Sequence, residues 1–159
     1  MEPFFAAWLS SDQLRTVGSI TVAWAWTDWT LGQILVNLHR LAPGGEPNGR
    51  IHQLTLANKV GIFKDAMKSG IAPGKMSTLI EELVFISDNF RFNRNHIVHG
   101  VPLGDAFWSQ SKMEDLPIVD LDRNLEEALY ASHVAGRMLL LSIGGEGDHI
   151  PALPPRPTD

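Results

Sequence analysis

Ten consecutive residues, from Arg91 to Gly100, concentrate the side chains of this chain that are best suited to chemistry on a phosphate. They include two arginines, two asparagines and two histidines and no acid, in a chain of 159 residues with a formal net charge of -5. Arginine binds phosphate with a planar fork of N–H donors, and histidine exchanges protons near neutral pH. The segment therefore predicts a site that holds a phosphate and moves a proton. The alternative is a helix end whose cationic side chains offset the negative pole of the helix dipole.

The spacing of these residues on a helix decides which of them can act together. At about 100° per residue, Arg91, Asn95 and His99 share one stripe, whereas Arg94 lies about 140° from His99. A long arginine side chain can partly close that angle. Asp88 stands three positions before Arg91, and this spacing predicts an ion pair between them. Such a pair would leave Arg94 as the free phosphate ligand.

A family resemblance rests on this segment. Arg94-Asn95-x-x-x-His99, continued by Gly100, resembles the motif of the HEPN superfamily (higher eukaryotes and prokaryotes nucleotide-binding domains), in the form found in small stand-alone bacterial members. The resemblance extends over about residues 10–143, and it implies a helical bundle, usually dimeric. One position departs from the pattern: the branch controlled by adenylylation has a tyrosine two residues after the motif histidine, where this chain has Val101.

The resemblance also implies an activity. Many members are metal-independent endoribonucleases, often toxins or defence effectors, that leave a 2',3'-cyclic phosphate and a 5'-hydroxyl. In that chemistry His99 would act as general base or acid, Arg94 would stabilise the transition state, and Asn95 would position the phosphate or the imidazole. Because one helix supplies one such histidine, a symmetric homodimer is expected, and an antitoxin protein is a further expected partner. The alternative function is a non-catalytic module that binds a nucleotide or a protein partner.

Four further residues are predicted to contact the RNA or nucleotide: Arg91, His96, Lys59 and Trp108. Two of them have ordinary alternatives, which the patterns favour. Lys59 interrupts an apolar helix face, where a lysine more often extends its ammonium to the surface. Trp108, with Phe107, could stack on a base but more often such a residue anchors a loop. His96 and His99 have a metal-ligand spacing without a companion acid, so neither a metal nor a cofactor is predicted.

Composition limits the classes of protein that remain. With 44% hydrophobic and 19% charged residues, the composition predicts one globular domain. The negative net charge counts against binding nucleic acid through a broad basic face. RNA would have to be held locally, by residues 91–99. The absence of cysteine excludes a disulfide framework, thiolate catalysis and cysteine-ligated zinc, and agrees with a cytoplasmic location. The first five residues do not resemble a signal peptide.

A long first helix is predicted from Ser10 or Ser11 to Leu38. Of the two serines, only Ser10 has an amide three residues later, Gln13, that completes a capping box. Apolar residues recur at spacings of three and four, and a second apolar face includes Val22 and Trp26. Two apolar faces predict packing both inside the bundle and against a second subunit. A membrane helix over Thr16–Leu38 is the alternative, but seven hydroxyl and amide residues within those positions count against it.

Asp28 lies on the packing stripe of this first helix, between Trp24 and Leu31. A buried carboxylate needs a partner or becomes protonated. It could orient Arg94 or Lys59. The favoured interpretation is a local cap or an acid exposed at the edge of the bundle.

The rest of the chain predicts an all-α, up-and-down bundle of four main helices, with the first and third contributing most of the dimer interface. A loop over residues 41–50 precedes a helix from Ile51 to Lys68, and a third helix runs from Gly74 to His99, where Gly100 and Pro102 end it. Residues 100–117 form an irregular segment that could include a short hairpin. A fourth helix is predicted from Asp120 or Asp122 to Ile143, with small residues that allow close helix approach. A Gly/Pro-rich tail over 144–159 follows the domain of residues 1–143.

Overall fold

A computed structural model describes residues 9–38, 50–103, 106–109, 114–144 and 152–157. These residues form a helical bundle, as predicted, with a small antiparallel sheet at one end. The elements are α1 (Ser11–Asn37), α2 (Arg50–Gln53), α3 (Leu56–Lys68), α4 (Ser77–Asn89), α5 (Arg91–His99), β1 (Val101–Leu103), β2 (Ala106–Ser109), β3 (Glu114–Pro117) and α6 (Leu121–Ser142). Residues 1–8 and most of the predicted loop over 41–50 lie outside the described residues.

The predicted start of α1 is confirmed. Ser10 is the N-cap: its hydroxyl accepts from the Gln13 N–H at 3.2 Å, and its own N–H donates to the Gln13 side chain at 2.7 Å. Trp24 and Leu31 are buried on the predicted stripe, whereas Leu14 on the same stripe is exposed. Within the described residues, no helix has the length and apolar character needed to cross a membrane.

The close approach predicted for the small residues of the last helix is confirmed, and α1 is the helix that packs there. Ala131 is fully buried, and the Ser132 hydroxyl donates to the Ala23 carbonyl at 3.1 Å. A Cβ at Gly136 would lie 3.1 Å from the ring of Trp26. A larger residue at these positions would push the two long helices apart.

The predicted continuous helix over 51–68 is wrong, because it is divided into α2 and α3. Thr55 stands between them as the N-cap of α3, and its hydroxyl accepts from the Asn58 N–H at 3.2 Å. A threonine side chain that satisfies a first-turn N–H favours a new helix start over continuation. The predicted end holds: α3 stops at Lys68, followed by Gly70 with a φ of 72°.

The predicted third helix is also divided. A 3-10 turn over Gly74–Met76 precedes α4, and α4 and α5 are separated at Phe90. Just before the break, the Asn89 side chain donates to the Phe85 carbonyl at 2.8 Å, a local bond that competes with the helical pattern. Phe90 is buried edge-on to Phe85, with ring centroids 5.5 Å apart. The segment with the polar cluster is therefore a nine-residue helix of its own.

The segment after α5 forms a three-stranded sheet in the order β1-β2-β3, more than the short hairpin expected. Phe107 in β2 pairs in register with Leu116 in β3, and both are buried. Phe107 thus anchors the sheet, as the favoured interpretation had it. Asp120 then occupies the N-cap position of α6 as predicted, although its side chain makes no capping hydrogen bond within the described residues.

Candidate functional site

Helix α5 is held in place by two buried residues and presents the polar cluster on its outer side. Ile97 is in the core and His96 is completely buried, whereas Arg91 and His99 are exposed. The helix ends at His99 as predicted, and Gly100 follows in extended conformation. A Cβ on Gly100 would overlap the His96 carbonyl oxygen and lie 3.1 Å from the Trp108 carbonyl oxygen. Glycine is therefore needed where β2 crosses the end of α5.

His96 was predicted to contact substrate, and its burial contradicts this. Its Nδ1 lies 2.9 Å from the Phe92 carbonyl oxygen, and its ring is 4.2 Å from the Phe92 ring. One of the two histidines of the segment is thus part of ordinary helix packing. A histidine at i+4 from an aromatic residue is the sequence signal for such a contact.

Three of the predicted site residues come together at one cleft. Arg91, Arg94 and Asn95 line a cavity of about 510 Å³, opposite the first turn of α3. Arg94 Nη1 donates to Asn95 Oδ1 at 2.9 Å, while Arg94 Nε is buried without a hydrogen-bond partner among the described residues. A guanidinium carries five N–H donors. At least one of these donors, on Nε, is therefore not satisfied by the described residues. The remaining lining residues are Thr55, Leu56, Ala57, Asp88 and Phe92.

The predicted ion pair between Asp88 and Arg91 does not form, since the ion pairs within the described part of the chain do not include it. The prediction assumed one continuous helix, in which residues three apart are neighbours. The interruption at Phe90 lies between the two residues and removes that geometry. Arg91 and Asp88 both face the cleft, so Arg91 is a second candidate cation there.

Lys59 is fully buried, which corrects two predictions about it. It does not extend to the surface, and it cannot touch a substrate in this structure. Its Nζ donates to the Asp28 backbone carbonyl at 2.9 Å and lies 3.1 Å from Asp28 Oδ1. That carboxylate oxygen accepts no well-aligned hydrogen bond from the described residues, so the second contact is ionic rather than directional. The favoured interpretation of Asp28 as a cap or edge acid is therefore wrong.

The charge of Asp28 also acts on Arg94. Burial lowers the pKa of Arg94 from its ordinary value, and the nearby Asp28 carboxylate partly opposes that shift. The arginine guanidinium is so basic that it stays protonated at neutral pH even with a lowered pKa. Asp28 thus pairs with Lys59 on α3 and favours the charged form of Arg94 on α5.

His99 and Trp108 lie beside the cleft rather than in it. Neither residue lines the cavity that holds Arg94. His99 is exposed at the last position of α5, and Trp108 is half-buried in β2 opposite Val101. The angular separation of Arg94 and His99 predicted from helix geometry agrees with this placement.

One polar contact of helix α5 was not predicted from the sequence. Glu127 on α6 is 2% exposed, accepts from Asn93 Nδ2 at 3.2 Å, and lies 3.4 Å from Arg123 Nε. The available signal was its position next to Ala128 on the buried stripe of α6. This contact fixes the rear of α5 against α6.

The described residues contain no group of three histidine, aspartate or glutamate side chains that could hold a metal ion. The chain is thus a mostly helical bundle with a cationic cleft between α3 and α5. No family model, curated protein or solved structure matches the chain.

Proposed function

We propose that this chain is a metal-independent endoribonuclease of the cytoplasm, of the toxin or defence type that the HEPN-like motif suggests. The observation that carries the proposal is the cleft in which Arg91, Arg94 and Asn95 face the first turn of α3. The N-terminal end of a helix is electropositive and binds phosphate. A helix terminus and two guanidinium groups around one cavity suit the backbone of RNA better than a neutral ligand.

The reaction is the one that the HEPN-like motif implies. The RNA 2'-oxygen attacks the adjacent phosphorus and the P–O5' bond breaks, which leaves a 2',3'-cyclic phosphate and a 5'-hydroxyl. A base takes the 2'-hydroxyl proton and an acid gives a proton to the leaving oxygen. Arg94 stabilises the charge that develops on the phosphate, with Asn95 positioning it, and His99, at the end of the same helix, exchanges a proton.

A base and an acid of this kind come from two copies of the chain, because α5 supplies a single exposed histidine. Exposed apolar side chains on α1 and α6 support a dimer: Val22 is 68% exposed, Trp26 42% and Leu129 47%. We therefore propose an interface on the first and last helices, whereas the sequence predicted the first and third. A protein that cleaves RNA as a monomer, established by sedimentation at the assay concentration, would contradict this part of the proposal.

The second candidate function is a non-catalytic module that binds a nucleotide, and one observation favours it. His99 does not line the cleft that holds Arg94, so phosphate binding there does not by itself bring a proton donor into reach. Such a module would bind nucleotide with unchanged affinity after His99→Ala and would not turn over RNA. An antitoxin-like protein partner suits either function.

Replacing Arg94 by lysine is expected to lower RNA cleavage strongly while the protein folds normally. Lysine keeps the charge beside Asp28 but loses the planar fork that contacts phosphate through two N–H groups. Lysine rather than alanine is the informative change, because Arg94 is half-buried. Cleavage of a labelled RNA by protein free of contaminating nuclease is the measurement.

The matched control is Arg15→Lys. Arg15 lies near the start of α1, has a side chain that is 77% exposed, and pairs only locally with Asp12. This variant should cleave RNA as the wild type does. Wild-type activity in Arg94→Lys would remove Arg94 from the mechanism.

A further inference from the structure

The described residues of the C-terminal tail return to the bundle, and Arg156 makes a polar contact with it. Arg156 donates to Glu82 on α4 through two nitrogens, with Nη2–Oε1 at 2.6 Å and Nε–Oε2 at 3.1 Å. Its guanidinium carbon also lies 3.8 Å above the centre of the Phe85 ring. A two-point arginine–carboxylate contact over an aromatic face is a specific mode of arginine recognition.

The receiving side chains are held ready for this contact. Tyr130 on α6 donates to Glu82 Oε2 at 2.8 Å, which fixes the carboxylate between α4 and α6. The hydrogen bond that Arg156 itself donates is the main cause that lowers the pKa of Glu82 from its ordinary value. Phe85 is braced edge-on by Phe90.

The tail segment has the chemistry of a peptide ligand. Residues 152–157 read Ala-Leu-Pro-Pro-Arg-Pro, so three of the six are prolines. Proline fixes its own φ and biases the residue before it towards extended conformations. Such a segment loses little conformational entropy on binding, which is why proline-rich peptides suit aromatic-lined surfaces.

The segment lies across the bundle and leaves cavities beside it unfilled. Leu153 packs against the core, whereas Pro154 and Pro155 are exposed. Cavities of about 380 Å³ and 520 Å³ remain beside its two halves, along α6. Two anchors, Leu153 and Arg156, therefore hold a segment that a competing peptide could displace.

We propose that Glu82, Phe85 and Tyr130 form a binding site for proline-rich peptides that carry an arginine, and that residues 152–157 occupy this site as a tethered ligand. The occupant in trans is a partner segment with the same leucine, paired prolines and arginine. This site is independent of the α3–α5 cleft, so neither proposal depends on the other.

The test uses the full chain with Arg156→Ala, which removes the tethered anchor, and a fluorescent synthetic peptide with the sequence of residues 152–157. The variant is expected to bind the peptide, and the wild type at least about tenfold more weakly, because a tethered ligand competes at an effective concentration on the order of millimolar. Fluorescence anisotropy measures both. Adding Glu82→Gln to the Arg156→Ala chain should remove the binding, as should a peptide with alanine in place of its arginine.

Three results would overturn the proposal. One is an Arg156→Ala chain that keeps its helical circular dichroism but does not bind the peptide. Another is loss of the fold in this variant, since the tail would then be required for folding and would not be a displaceable ligand. The third is tail-dependent association of wild-type chains in sedimentation that Arg156→Ala removes, which would make a second copy the occupant.

Discussion

Replacing His99 by alanine is expected to lower RNA cleavage by about 10² to 10⁴-fold, the usual contribution of a general acid or base. The melting temperature should not change, because His99 is exposed and substitutions at such positions shift stability by about 0.5 kcal/mol or less. Initial cleavage rates and thermal unfolding, followed on the same preparation, give both values. A large loss of rate without loss of stability would separate chemistry from folding.

His133→Ala is the matched control for this prediction. His133 is also an exposed histidine on a helix, but it lies on α6 beside the tail rather than near the cleft. It should leave cleavage unchanged. Equal losses in the two variants would show that His99 has no special part in the reaction.

Lys59→Met is expected to lower the free energy of unfolding by about 3 kcal/mol, the lower end of the range for breaking a buried ion pair. The lower end applies because the Asp28 side chain is 31% exposed, so water can hydrate its carboxylate once the lysine is removed. Lys59 itself is fully buried. Methionine has a similar length and fits the apolar surroundings. Chemical denaturation at neutral pH measures the change.

The double variant Lys59→Met, Asp28→Asn is the control, because it removes both charges of the Lys59–Asp28 pair. It should recover most of the lost stability, since a buried ion pair replaced as a whole is often nearly neutral. If the single and double variants are equally destabilised, packing rather than charge accounts for the effect of Lys59.

The helical bundle could be predicted from sequence because its signals are local. The Ser10–Gln13 capping box and the small residues of the last helix can each be recognised from a few neighbouring positions in the sequence. The interruptions at Thr55 and Phe90 were harder to predict, because apolar periodicity continues across them. Hydrogen bonds from side chains to the backbone interrupt a helix at such positions, and apolar periodicity gives no information about those bonds.

The candidate site was predicted in its residue types but not in its geometry. The break at Thr55 creates the helix terminus that faces Arg94, and the break at Phe90 separates Asp88 from Arg91. Neither consequence can be read from helical spacing. The burial of Lys59 likewise depends on the approach of Asp28 from α1, a contact between residues 31 positions apart. Long-range contacts of this kind have no local sequence signal.

The chemistry of the RNA product tests the central claim most directly. Wild-type protein, with a chelator present throughout, should convert a defined RNA into fragments that end in a 2',3'-cyclic phosphate and begin with a 5'-hydroxyl, as identified by mass spectrometry. His99→Ala should form these fragments at least about a hundredfold more slowly, whereas His133→Ala should form them at the wild-type rate. Fragments with a 5'-phosphate, cleavage that stops when the chelator is added, or intact RNA with folded wild-type protein would contradict the account.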